Sequence, residues 1–130
     1  MRAAKMRIEH IGLYVFDLEA MRDFYAKYFG FIPNDSIYQN ASGLRTCFMR
    51  APECGARLEL MTRPEMTPRK GKAGFIHLAL SVGNKERVDE LSEIMRADGF
   101  KIVSGPRTTG DGYYECCVLD PEGNEIEITV

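Results

Sequence analysis

The chain has 130 residues, 45% of them apolar, and a formal charge of −2 from 17 basic and 19 acidic side chains. At this length roughly two-thirds of the unfolded surface can be buried, so a single domain over residues 1–130 with a true core is expected without disulfides. The scattered, near-neutral charge excludes an electrostatic footprint for nucleic acid, and no apolar run reaches the about 20 residues of a membrane helix. Met1-Arg2-Ala3-Ala4-Lys5 leads into sequence too polar for a signal-peptide core, so a cytoplasmic protein is expected.

Ile8 to Phe16 is rich in β-branched, aromatic and aliphatic residues and reads as a strand, with Ile11, Leu13 and Val15 on one face and His10, Gly12 and Tyr14 on the other. Asp17 is placed to cap a helix whose apolar stripe, Leu18, Met21, Phe24, Tyr25 and Tyr28, recurs at three- and four-residue steps until Gly30 stops it. A polar loop follows Pro33, with a weak strand around Ser36 to Tyr38. A strand is then expected from Leu44 to Arg50, a hairpin turn at Pro52-Glu53-Cys54-Gly55, and a strand from Ala56 to Thr62. In that last strand Arg57, Glu59 and Met61 face one way, Leu58 and Leu60 the other.

Residues 63–74 hold Pro64, Pro68, Gly71 and Gly74 without periodicity and read as a connector. It divides a first module of about 6–62 from a second of about 75–130. Phe75 to Val82 is the next strand, with His77, Ala79 and Ser81 on one face. A helix is expected from about Lys85, with Val88, Leu91, Ile94 and Met95 at helical steps. Lys101 to Val103 reads as a short strand broken by Ser104-Gly105-Pro106, and 107–112 as a polar loop. Tyr113 to Leu119 and Glu125 to Val130 are strands joined by the turn Asp120-Pro121-Glu122-Gly123-Asn124. The cysteines at 47, 54, 116 and 117 match neither a zinc finger nor a disulfide scaffold. Cys116 and Cys117 read as small buried apolar side chains of a reducing compartment.

The two halves echo each other. Ile8-Glu9-His10-Ile11-Gly12-Leu13-Tyr14-Val15 matches Phe75-Ile76-His77-Leu78-Ala79-Leu80-Ser81-Val82, and Arg57-Leu58-Glu59-Leu60-Met61 matches Glu125-Ile126-Glu127-Ile128-Thr129. The histidines lie 67 positions apart and the glutamates 68. An internal repeat decides architecture before any local signal. It predicts an α+β fold of two tandem β-α-β-β-β modules whose helix-free faces carry His10, Glu59, His77 and Glu127 and frame one cleft.

Two imidazoles and two carboxylates form a nitrogen and oxygen donor set suited to Ni²⁺, Co²⁺, Zn²⁺ or Mn²⁺. A lone histidine in an apolar strand is more often a hydrogen-bonded structural residue than a ligand. These, however, are the only two histidines and occupy equivalent repeat positions, which favours the ligand reading. Glu59 and Glu127 could be ordinary solvent-facing strand residues, and Glu125 is an equal candidate to Glu127 but for the latter's match to Glu59. Tyr14, Arg57 and Met61 share the site face and are read as packing or solvated.

His10-x-x-Leu13-x-Val15 with the Phe24-Tyr25 helix, Leu58-Glu59-Leu60, His77-Leu78-Ala79-Leu80-Ser81-Val82, and Asp120-Pro121-Glu122-Gly123-Asn124-Glu125-Ile126-Glu127 together resemble the vicinal oxygen chelate superfamily, the glyoxalase fold, from Arg7 to Val130. The resemblance implies one divalent metal held by His10, Glu59, His77 and Glu127, in the order His, Glu, His, Glu of glyoxalase I, lactoylglutathione lyase. It implies isomerisation of the thiol adduct of a 2-oxoaldehyde, a hemithioacetal, through an enediolate to a 2-hydroxyacyl thioester. Glu127 is then the first candidate for the proton shuttle and Glu59 the second, in a homodimer whose sites lie within one chain or across two. CoA-thioester epimerases and drug-sequestering resistance proteins of the same superfamily are the alternative readings. The native metal and the thiol stay open.

Overall fold

The structure is a computed structural model that describes residues 7–68, 75–110 and 112–130. The expected start of the first module at residue 6, the 69–74 part of the connector and Asp111 of the 107–112 loop lie outside the described residues. The chain divides into two compact units, Met1–Pro68 and Arg69–Val130, with the boundary inside the predicted connector. No helix among the described residues is long and apolar enough to cross a membrane.

The first unit runs β1 (His10–Tyr14), α1 (Leu18–Phe29), β2 (Ile32–Pro33), β3 (Tyr38–Gln39), β4 (Arg45–Arg50) and β5 (Arg57–Thr62). The Asp17 carboxylate accepts the Ala20 N–H at 3.0 Å and starts α1, a cap worth about 1 kcal/mol. Gly30 ends it in the left-handed region at φ 72°, so that its own N–H reaches Ala26 O and the Phe31 N–H reaches Tyr25 O. The helix lies on β4 and β5. Between them they bury the predicted stripe, Leu18, Met21, Phe24, Tyr25 and Tyr28, against Cys47, Met49, Leu58 and Leu60. Each such large apolar side chain contributes about 1.5–3 kcal/mol. The sheet order is β1-β5-β4-β2, with β3 also paired to β4 and β1 parallel to β5.

The second unit repeats this plan with β6 (His77–Ser81), α2 (Lys85–Ala97), β7 (Ile102–Thr108), β8 (Tyr114–Leu119) and β9 (Glu125–Thr129). Its sheet order is β6-β9-β8-β7, again with the first and last strands parallel. Asn84 caps α2 by accepting the Arg87 N–H at 2.8 Å. Val88, Leu91 and Met95 face Cys116, Val118, Ile126 and Ile128 in the core. Both units are thus one helix on one sheet, the α+β modules that the repeat predicts.

Four expectations need correction. Ile94 is 42% exposed, while Ser92 takes the buried position and bonds its hydroxyl to Val88 O at 2.6 Å. The strand Lys101 to Val103 does not break at Ser104-Gly105-Pro106. β7 continues to Thr108 through two irregularities in its pairing with β8. Gly105 sits there at φ 79°, where a Cβ would fall 2.5 Å from Glu115 O, so only glycine lets the bulged strand stay on its neighbour. The weak strand around Ser36 to Tyr38 is two residues, Tyr38–Gln39, and a second short strand, Ile32–Pro33, precedes it. Cys117 is half-buried rather than buried, in contrast to Cys116.

Candidate functional site

Strand alternation puts His10, Gly12 and Tyr14 of β1 and Arg57, Glu59 and Met61 of β5 on the face of the first sheet away from the Leu58–Leu60 core side. In the parallel register His10 stands opposite Arg57 and Gly12 opposite Glu59. Glu59 is therefore diagonal to His10, and its carboxylate lies 3.6 Å from the imidazole Nε2. Gly12 shares this face, and a Cβ added there would meet the Met61 Cε at 3.0 Å.

The second unit builds the same diagonal from different neighbours. His77 stands opposite Glu125 and Ala79 opposite Glu127, and His77 Nε2 meets the Glu127 carboxylate. The contact falls on Glu127, the residue that matches Glu59 in the repeat, and not on Glu125. In each unit the imidazole is more open than its carboxylate, with side chains 41% and 20% exposed for His10 and Glu59, and 37% and 19% for His77 and Glu127. Among the described residues no group of three or more His, Cys, Asp or Glu side chains gathers around one point, so each unit presents a pair.

Three neighbours escape the sequence reading. Glu9 Oε1 lies 3.2 Å from His10 Nδ1 and accepts from Arg57 Nε at 3.1 Å, and the Arg57 guanidinium holds its carboxyl below the usual carboxylate range. Phe48 lies under the Arg57 guanidinium, 4.1 Å from it, and takes His10 edge-on at a centroid distance of 5.5 Å. Cys117 is the cross-strand partner of Glu127. Burial, with the nearby Glu125 and Glu127 carboxylates, pushes its thiol up to about 11. The alternation that separates Cys116 from Cys117 was the available signal, since it puts the odd-numbered thiol on the odd-numbered glutamate's face.

Further along the same face, the Tyr14 hydroxyl accepts from Arg63 Nε at 3.2 Å. Beside it the first unit opens a cavity of about 300 Å³ lined by Phe16, Gly43, Arg45, Thr62, Arg63, Pro64 and Met66. Arg45 is held there by Glu19 of α1.

Each pair can donate one imidazole nitrogen and one carboxylate oxygen to a divalent cation of the borderline class, without the thiolates that a structural zinc site uses. The donor chemistry of the four predicted residues therefore fits such an ion.

Residues 7–128 match the family model described as the Glyoxalase/Bleomycin resistance protein/Dioxygenase superfamily. The structure of a possible glyoxalase from Bacillus cereus is 27% identical with a TM-score of 0.70, covering 97% of this chain and 100% of that one. A lactoylglutathione lyase from Agrobacterium tumefaciens is 24% identical with a TM-score of 0.69, over 98% and 95% of the two chains. TnmS3, an antibiotic binding protein from Streptomyces sp. CB03234, is 22% identical with a TM-score of 0.74, over 98% of each chain. The last two are likenesses of fold.

Proposed function

The chain belongs to the Glyoxalase/Bleomycin resistance protein/Dioxygenase superfamily, and from that premise we propose that it is a divalent-metal-dependent, glyoxalase-I-like enzyme. His10, Glu59, His77 and Glu127 would hold one Ni²⁺, Co²⁺, Zn²⁺ or Mn²⁺ ion, in a homodimer whose sites lie within one chain or across two. The observation that supports this reading is the duplicated diagonal. In both units an accessible imidazole Nε2 and a largely covered carboxylate meet across parallel strands at the same register offset. Solvation alone gives no reason for one unusual pairing to recur twice.

The substrate class is the thiol adduct of a 2-oxoaldehyde. When bound, the ion supplies Lewis acidity that polarises the two vicinal oxygens and acidifies the adjacent C–H. The chain supplies the proton transfer. The Glu127 carboxylate, or Glu59 in its place, takes the proton from the carbon bearing sulfur and oxygen, leaving an enediolate. It returns that proton to the neighbouring former carbonyl carbon, the hydroxyl proton of the sulfur-bearing carbon passes to the oxygen on that neighbour, and the product is a 2-hydroxyacyl thioester. A positioned carboxylate is worth about 10²–10⁴-fold in such a step. Both carboxylates are about four-fifths covered and so partly shielded from water, and the resemblance to glyoxalase I puts Glu127 first.

The test is thioester formation from a methylglyoxal–glutathione hemithioacetal by chelator-stripped protein, restored in turn by Ni²⁺, Co²⁺, Zn²⁺ and Mn²⁺. Turnover restored by one ion supports the reading and names the ion. Stoichiometric metal binding without turnover moves the substrate away from glutathione, towards other thiols, CoA thioesters or ligand capture without chemistry. Failure to bind any of the four ions overturns the metal centre.

A further inference from the structure

We infer that Glu9, braced by Arg57, is a positioning residue that fixes the His10 ring with Nδ1 protonated and leaves Nε2 as the free donor facing Glu59. A neutral imidazole carries one ring proton, and the nitrogen nearer a good acceptor keeps it. Glu9 Oε1 lies 3.2 Å from Nδ1, within hydrogen-bonding range, whereas Glu59 Oε1 lies 3.6 Å from Nε2, outside it.

The acceptor is itself held. Arg57 donates its Nε to the same Glu9 oxygen at 3.1 Å and adds a second contact from a terminal nitrogen, and the backbone N–H of Arg57 donates to Glu9 O at 3.0 Å. Arg57 in turn lies over Phe48, the ring that His10 meets edge-on. The imidazole is thus fixed along one edge by a hydrogen bond and against one face of its surroundings by an aromatic ring.

The second unit is built otherwise. Ile76 stands where Glu9 stands in the repeat and Glu125 where Arg57 stands, so the clamp has no counterpart there. The carboxylate contact of His77 is at Nε2, with Glu127. In the metal-free protein the two histidines therefore carry opposite tautomers, Nδ1–H at His10 and Nε2–H at His77. His10 is ready as an Nε2 donor, whereas the Nε2 of His77 faces Glu127. The consequence for metal affinity rests on the metal centre proposed above; the tautomer itself does not.

The deciding experiment is long-range ¹H–¹⁵N correlation on metal-free, histidine-labelled protein at alkaline pH, where imidazoles are neutral, combined with Zn²⁺ calorimetry. The native protein is expected to show Nδ1–H at His10 and Nε2–H at His77. Glu9→Ala shifts only His10 towards Nε2–H and weakens Zn²⁺ binding roughly 10–100-fold, the usual cost of losing an outer partner of a ligating histidine. Glu9→Gln, which keeps a carbonyl acceptor, returns both readouts towards native. An Nε2–H signal at His10 in the native protein, or an Nδ1–H signal unmoved by Glu9→Ala, overturns the inference. Should the native protein bind no Zn²⁺, the metal centre falls and the ring-proton measurement alone decides the role of Glu9.

Discussion

The Glu127 carboxylate meets His77 Nε2 from two residues beyond the position directly opposite that histidine, the same diagonal by which Glu59 faces His10. Parallel strands β6 and β9 fix this relationship through backbone pairing, so the side chains can be changed without moving the strands. Glu127→Gln is expected to lower turnover by about 10²–10⁴-fold, the loss of a positioned base. His77→Ala is expected to weaken metal binding by more than the roughly 10–100-fold that an outer partner costs. Isothermal titration separates the two effects. Native turnover in a Glu127→Gln variant would remove Glu127 from the proposed proton transfer and leave Glu59 as the candidate base.

The Cys117 thiol gives the metal-free protein an alkaline signature. Its folded value is raised from 9.0 to about 11 by burial and by the Glu125 and Glu127 carboxylates. Between about 9 and about 11 the unfolded chain has lost a proton that the folded chain keeps. The unfolded state therefore gains from rising pH, so stability falls through that window and levels off above it. Urea midpoints measured across the window should decline in the native protein and decline less in Cys117→Ala. Some slope persists in the variant because burial also raises Cys47 and Cys116. Equal slopes in the two proteins would show that this thiol does not carry the effect.

The turn before β9 is a third lever on the site. Asp120 is 4% exposed, and its carboxylate accepts the backbone N–H groups of Glu122 and Asn124, both at 2.9 Å, together with the Asn124 side-chain amide. Asp120→Ala strands these donors at the entry to the strand that carries Glu127. A buried hydrogen-bonding group lost in this way costs about 1–3 kcal/mol, and urea unfolding should show a loss of that size. Asp120→Asn keeps an acceptor oxygen and should lose less. If both variants unfold at the native midpoint, the turn is held by its backbone alone.

Much of this arrangement is legible in the sequence where a local rule fixes the outcome. Asp17 and Gly30 bracket α1 because a carboxylate cap and a left-handed glycine act within one turn of chain. Glu59 and Glu127 separate from Glu125 because the repeat carries register information that one strand lacks. Features set by a neighbouring strand are not legible. The bulged course of β7 depends on how closely Gly105 approaches Glu115 O, and Glu9 acquires its role only when Arg57 is brought across from β5. Ile94 misleads for a related reason. It keeps helical spacing, yet Ser92 is the residue of α2 that turns into the core in its place.

Gly12 tests whether the diagonal itself matters. It sits opposite Glu59 and beside His10 at a negative φ, so a side chain there strains no backbone. Among the described residues the one close contact of an added Cβ is the tip of Met61 at 3.0 Å, a flexible end that can turn aside. Valine suits a strand, and β-propensities span only about 1 kcal/mol, so Gly12→Val should unfold near the native urea midpoint. Its two methyl groups nevertheless stand on the sheet face that His10 and Glu59 share. Metal affinity should fall while stability holds, and the same change at Ala79 should do likewise between His77 and Glu127. Native affinity in Gly12→Val would mean that His10 and Glu59 do not act on a common ligand across this diagonal.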